Sequence, residues 1–230
     1  PIDSCDAVPT FEAQDADPDC GLQNSAVIGA SLPAEGPDPE HGCRNPAPRA
    51  PLPPRCRVCT WNCRTLFGSS KGGIAQMRRV RETYSTVAKL VNSHDVVLLQ
   101  ETHGCEADLA SLRMRFIRHL VFGSFTVGHH GGGVVFIIDP AFAELYSGNA
   151  VRPIRMVDII PGRLAKIIFP NTLKMASLEV VNIHLEVEVA AGEPGFLGAQ
   201  CGFVAALARA LTPRTEAHTI IGGDFNCCAS

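Results

Sequence analysis

The chain has 230 residues, 46% of them hydrophobic and 19% charged, enough apolar content to close one sizeable core. No segment approaches the ~18 consecutive apolar residues of a membrane-spanning helix, and the first residues show neither the basic start nor the apolar stretch of a secretory signal. The expectation is an intracellular protein without membrane attachment, most of whose ten cysteines are buried, reduced thiols.

The net charge of −3 conceals a division. Residues 1–54 carry nine acidic and two basic side chains with 11 of the 17 prolines, and show no sustained helix or strand period. Such a segment buries too little apolar area to offset its ordering entropy, so a disordered, acidic, proline-rich tail is predicted there. Residues 55–230 carry 18 Lys and Arg against 14 Asp and Glu and form the predicted domain.

Within that domain strands and helices alternate. Residues 58–61 read as a strand, and Gly68, Gly72 and Gly73 mark a loop. A helix over 77–91 would place Val80, Tyr84, Val87, Ala88 and Val91 on one face, ahead of a strand at 96–100. The next helix is predicted over 106–120, with Leu109, Leu112, Phe116 and Leu120 aligned. Strands follow near 121–127, 133–138, 151–159 and 163–169. Another starts near residue 175 and runs to His184, and a helix over 198–211 leads into a last strand ending at Asp224. Successive strands in the middle of the chain argue for a mixed sheet rather than a doubly wound parallel one.

Four of the apolar runs end in polar groups suited to a metal, a phosphate or a proton: Asn62, Glu101, His184, and Asp224 with Asn226. In open α/β sheets, ligands bind beyond the strand carboxyl ends, so the four ends are expected to converge. Glu101 offers the hard oxygen that magnesium prefers, and Asn62 could add a neutral carbonyl. His184 can donate to an anionic oxygen, Asp224 can accept from a nucleophilic water, and Asn226 can donate through its amide while fixing that acceptor. Gln100 is a candidate supporting residue. Taken singly each has a commoner structural reading, as a turn residue, a solvated strand end or a bonded core group. Their combination points to metal-assisted hydrolysis of a phosphate ester.

The segments Cys59-Thr60-Trp61-Asn62, Leu99-Gln100-Glu101-Thr102, Val181-Asn182-Ile183-His184-Leu185 and Gly222-Gly223-Asp224-Phe225-Asn226, in that order, resemble the endonuclease/exonuclease/phosphatase superfamily. Gly222-Gly223-Asp224-Phe225-Asn226-Cys227, after Gly131-Gly132-Gly133 and Pro161-Gly162-Arg163, looks most like the endonuclease domains of non-LTR (LINE-type) retrotransposons. The resemblance covers roughly residues 55 to 230. It implies an α/β fold, a four-layered sandwich of two mixed β-sheets flanked by helices, incomplete at the C-terminus because members continue into a closing Asp-His motif. A fragment of a longer protein, weakly active or inactive by itself, is therefore expected. The resemblance also implies Mg2+, or Mn2+ in its place, held by Glu101 with help from Asn62. Asp224 would orient the attacking water, Asn226 would position Asp224 and the phosphate, and His184 would steady the phosphoryl oxygens. DNA is the implied partner and the nucleus the implied location for a retrotransposon-derived protein; nothing sets the oligomeric state. A non-catalytic remnant or interaction domain, and a phosphatase or phospholipid phosphodiesterase of the same superfamily, are the alternatives.

Rival patterns are weaker. His130-Gly131-Gly132-Gly133 and the Gly68-to-Gly72 segment imitate an α/β-hydrolase, but the oxyanion loop then follows its nucleophile, the reverse of that fold's order. Cys56 and Cys59 form one C-x-x-C without a second pair. Arg78, Arg79, Arg81, Arg113, Arg115, Arg118, Arg152, Arg155, Arg163 and Lys166 supply positive charge that suits phosphate contact, although solvated helix faces are the commoner use. His94, His103, His119, His129 and His218 read as ordinary surface or turn residues.

Overall fold

The computed structural model describes residues 28–29, 55–67, 73–126, 132–147, 153–172, 175–185, 196–211 and 217–226. In chain order these give β1 (Ile28–Gly29), β2 (Val58–Asn62), α1 (Gly73–Ser93), β3 (Val96–Gln100), α2 (Glu106–Arg115), β4 (Leu120–Ser124) and β5 (Val134–Ile138). Then come α3 (Pro140–Ser147), β6 (Arg155–Ile160), β7 (Leu164–Phe169), β8 (Ser177–His184), α4 (Phe196–Ala210) and β9 (Ala217–Asp224). One sheet has the order β2-β3-β5-β4 and the other β1-β9-β8-β7-β6. Both are mixed. The β2–β3 and β8–β9 pairs are parallel, and the other pairs antiparallel.

Successive side chains on a strand point to opposite faces, and that alternation sorts the core into layers. From β3, Val96 and Leu98 join Val134, Phe136 and Ile138 of β5 against Ala165, Ile167 and Phe169 of β7 and Leu178 and Val180 of β8, between the sheets. The intervening Val97 and Leu99 face outward onto Val87 and Val91 of α1 and Leu109 and Leu112 of α2. On the far side, Leu164, Val181 and Ile183 pack with Ala206 of α4. The result is helix, sheet, sheet, helix, the four-layered sandwich expected from the sequence. Strands β3 and β5 are covered on both faces, which is why they read as unbroken apolar runs.

Three local readings are corrected. Helix α1 starts at Gly73 rather than near 77, because its first turn carries Ile74 and Met77 on the solvent side and no apolar period marks it. Helix α2 stops at Arg115 instead of reaching 120. Phe116 leaves helical geometry at φ −110 and ψ 47, His119 N–H donates to its carbonyl at 2.8 Å, and Leu120 opens β4 opposite Ile138. The apolar spacing had continued across this turn. Helix α3 interrupts the strands of the middle segment, where none was expected. Its start signal is Asp139-Pro140: Asp139 Oδ1 accepts from the Phe142 backbone N–H at 3.0 Å, and proline suits the first helical position. Phe142 and Tyr146 then close the inter-sheet core against Phe169. Within residues 1–54, Ile28–Gly29 pairs antiparallel with Ile220 and Ile221 on β9. The rest of residues 1–54 lies outside the described residues, as do Ser70, His129, His130, Arg152 and the segment after Asn226.

Cys56, Cys59, Cys63 and Cys105 are free thiols. Burial pushes the Cys59 thiol up to about 12 and, with Asp95 nearby, the Cys56 thiol up to about 11; Cys63, fully enclosed, is raised as well. Each unit removes roughly a factor of ten in thiolate, the reactive form. Native protein alkylated with iodoacetamide at pH 8 is therefore expected to modify the peptides holding Cys56, Cys59 and Cys63 at least about tenfold more slowly than unfolded protein. Equal rates, read by peptide mass spectrometry, would refute the buried placement.

Candidate metal and phosphate site

The alternation that builds the core also assembles the site. On β2, Val58 belongs to the inter-sheet layer while Cys59 and Trp61 belong to the outer one, so Asn62 falls on the inner side. On β8, Leu178 and Val180 are inner and Val181 and Ile183 outer, which puts His184 inside. On β9, Ile220 is inner and Ile221 outer, and Asp224 again falls inside. Glu101 is out of phase by one residue with the inner Val96 and Leu98. A left-handed backbone (φ 52) at the end of β3 breaks the alternation there and lets it join the others.

The four side chains meet around the Asn62 amide. Asn62 Nδ2 donates to Glu101 Oε1 at 2.7 Å and to Asp224 Oδ2 at 2.5 Å, and Asn62 Oδ1 accepts from the Arg64 backbone N–H at 3.0 Å. His184 Nε2 stands 3.4 Å from the same Glu101 Oε1, with its ring 3% exposed. The His184 contact, supported by the Asn62 amide, outweighs desolvation and holds the Glu101 carboxyl down to about 2. Glu101 is thus held ionised. Asn226 takes a different place from the one expected: its backbone N–H donates to Asp224 Oδ1 at 2.9 Å, while its side-chain amide turns away to the Leu185 carbonyl. It braces Asp224 through the main chain.

Backbone strain gathers around these residues. Among the described residues, the non-glycine positions with positive φ are Arg64 and Thr65 after β2, Glu101 and His103 after β3, and Asn226 after β9. Single residues of this kind cost of order 1–3 kcal/mol and persist only when neighbours over-determine them. The Glu101 carbonyl accepts from Thr65 N–H at 2.7 Å, Thr102 N–H donates to Gly133 O at 3.2 Å, and His103 N–H to Gly132 O at 3.0 Å. Gly133 N–H in turn donates to Gly162 O at 2.8 Å, tying the β6–β7 turn to the same loop. A side chain at Gly133 (φ 105) would put its Cβ 2.4 Å from Thr102 Oγ1. That accounts for Gly133 as close packing behind Glu101.

Two residues count for more than the sequence revealed. Asn182, quoted only as part of a motif, is completely buried and bonded across the sheets. His103 is close enough to Glu101 to help hold its carboxyl ionised, by charge alone. Spacing gives no signal for either, since one lies in the middle of an apolar strand and the other in a loop. Of the basic residues, Lys166 leaves the surface, donating to Glu179 Oε2 and the Ala210 carbonyl at 2.8 Å each. Arg78 and Arg113 pair with Glu82 and Glu106, and Arg115 lies over the Tyr84 ring at 4.5 Å.

The donor set fits a hard divalent cation. Magnesium takes oxygen ligands and commonly uses one or two carboxylates, completing its shell with water and phosphate. Glu101 and Asp224 bracket a position now bridged by the polar hydrogens of the Asn62 amide, where positive charge is already favoured. Among the described residues no group of three or more His, Cys, Asp and Glu side chains has ion-binding spacing.

The chain has known counterparts. It resembles the 3′ phosphatase NExo from Neisseria bound to product DNA hairpin, at 14% identity and a TM-score of 0.49, over 76% of this chain and 60% of that one. TDP2 from D. rerio, complexed with single-strand DNA product, aligns at 18% identity and a TM-score of 0.46, over 75% of this chain and 61% of that one. An AP endonuclease from Archaeoglobus fulgidus aligns at 15% identity and 0.49, over 76% and 59%. The chain thus spans less than two thirds of each of these structures. No curated protein matches it. A model of the Endonuclease/Exonuclease/phosphatase family matches residues 59–230, from the second residue of β2 through all four strand ends, and the chain belongs to that family.

Proposed function

We propose that this domain hydrolyses phosphodiesters with the help of a divalent cation, magnesium or manganese, and that DNA is its substrate. The observation that carries the reading is the single cluster of Asn62, Glu101, His184 and Asp224 at four strand ends. Glu101, with Asn62 and Asp224 beside it, would hold the ion, which when bound neutralises charge on the phosphoryl oxygens. Asp224, fixed from both sides by Asn62 and the Asn226 backbone, accepts the proton of the attacking water. The His184 ring, held against Glu101, donates to a phosphoryl oxygen as charge develops. The positive balance of residues 55–230 supports a polyanionic substrate, and the wording of Gly222 to Cys227 supports a mobile-element endonuclease acting in the nucleus.

The test is nicking of supercoiled plasmid in Mg2+ or Mn2+ against EDTA, run beside phospholipid and phosphoinositide hydrolysis. Any metal-dependent nicking, however weak, is expected to be lost in Asp224→Ala; turnover of lipid alone would move the substrate to a phospholipid headgroup. His184→Ala is expected to lower the rate by ~2 to 4 kcal/mol of transition-state stabilisation with substrate affinity nearly unchanged. A change confined to KM would remove His184 from the chemical step.

A further inference from the structure

We infer that Asn182 and Gln100 form a positioning bridge between the two sheets, setting where His184 and Glu101 stand, an inference that rests on the metal-dependent reading above. Both are fully buried, and they meet in a layer otherwise filled by Val96, Leu98, Phe136, Leu178 and Val180. Asn182 spends its two amide hydrogens on backbone carbonyls of two different strands in the opposite sheet, Leu99 of β3 and Val135 of β5, each at 3.1 Å. Its Oδ1 accepts from Gln100 Nε2 at 2.7 Å, and the same Nε2 donates to Thr60 Oγ1 at 2.9 Å. Two side chains therefore tie β2, β3, β5 and β8 together.

The ties fall directly behind the site. Thr60 is two residues before Asn62, Asn182 two before His184, and Gln100 one before Glu101. Residues two apart on a strand share a face, so the Asn182 amide and the His184 ring stand on the same side of β8. A buried polar pair is costly unless satisfied, and Gln100 Oε1 has no partner among the described residues. Apolar residues of the same volume would fill the layer without that cost. What they would lose is direction: hydrogen bonds to the Leu99 and Val135 carbonyls fix the slide of β8 against β3, whereas apolar contacts tolerate small shifts. A shift there moves His184 relative to Glu101, which now stand 3.4 Å apart at Nε2 and Oε1.

The experiment uses the intact chain and three variants, Asn182→Leu, Gln100→Leu and Thr60→Val. Mn2+ affinity is read by calorimetry, the His184 ring by NMR, and stability by thermal midpoint. Removing residues that orient metal ligands typically weakens metal binding by about 10 to 100-fold, so Asn182→Leu is expected to lose at least about tenfold and to move the His184 ring signals. Thr60→Val, which deletes one acceptor from a half-buried place, is expected to produce a smaller loss in the same direction. A packing role alone would lower the midpoint and leave both other readouts as in wild type, and that result overturns the bridge. Should Asn182→Leu and Gln100→Leu fail to fold, Thr60→Val decides by itself: unchanged affinity and ring signals overturn the inference. Should wild type bind no Mn2+, the metal reading fails separately, and the His184 signals still decide between bridge and packing.

Discussion

Glu101→Gln is expected to leave the fold intact and reduce metal-dependent turnover by about 10²- to 10³-fold, because the shape is kept while the charge that holds the cation is removed. Two donors converge on Glu101 Oε1, the Asn62 amide at 2.7 Å and the His184 ring at 3.4 Å, and both can meet an amide oxygen in its place. The loss should therefore appear in Mg2+ affinity more than in the thermal midpoint. A pH signature accompanies it. A carboxyl held down to about 2 contributes stability that is present above the ordinary carboxylate range and disappears as pH falls towards that value. The variant should lack this part of the acid dependence. The checks are nicking rate against Mg2+ concentration and thermal midpoints from pH 6 down to pH 2. Wild-type nicking at limiting Mg2+ would take Glu101 out of the site.

The strand ends were readable because buried strands advertise themselves. β3 is apolar on both faces from Val96 to Leu99, and the polar residues that close this run, Gln100 and Glu101, mark its carboxyl end. The same logic located Asn62, His184 and Asp224. The motif spacing contains no indication that Glu101 adopts φ 52, and strict alternation would send its side chain to the wrong face. Asn226 was misplaced in detail for a related reason: with φ 43 its main chain turns so that the backbone N–H, not the side-chain amide, meets Asp224. Asp139-Pro140 carries a chemical start signal for α3, whereas the end of α2 was illegible because apolar spacing ran on from Phe116 to Leu120. The cross-sheet partners of Asn182 are Leu99 and Val135, 83 and 47 residues away, and no local pattern announces contacts of that range.

Gly223→Ala is expected to be the most destabilising single-methyl addition among the described glycines. Gly223 has φ 150, and a Cβ built there would lie 2.0 Å from the Ile183 carbonyl oxygen and 2.6 Å from its nitrogen. Those atoms are backbone, and Ile183 is the direct partner of Gly223 in the parallel β8–β9 ladder, so neither strand can yield without breaking the pairing. The next pair in that ladder is His184 with Asp224. Backbone strain and overpacking each cost about 1–3 kcal/mol, which together predict a loss of at least roughly 3 kcal/mol, with β9 displaced at the site. In a chain of this size that lowers the thermal midpoint by roughly 6 to 12 °C. Gly222→Ala is the control on the adjacent residue. Its added carbon would meet Leu98 Cδ1 at 2.8 Å, the end of a side chain that can rotate away, so the cost should stay near roughly 1 kcal/mol. Similar midpoints for the two variants would show that β9 does not approach β8 this closely, and the placement of Asp224 opposite His184 would fall with it.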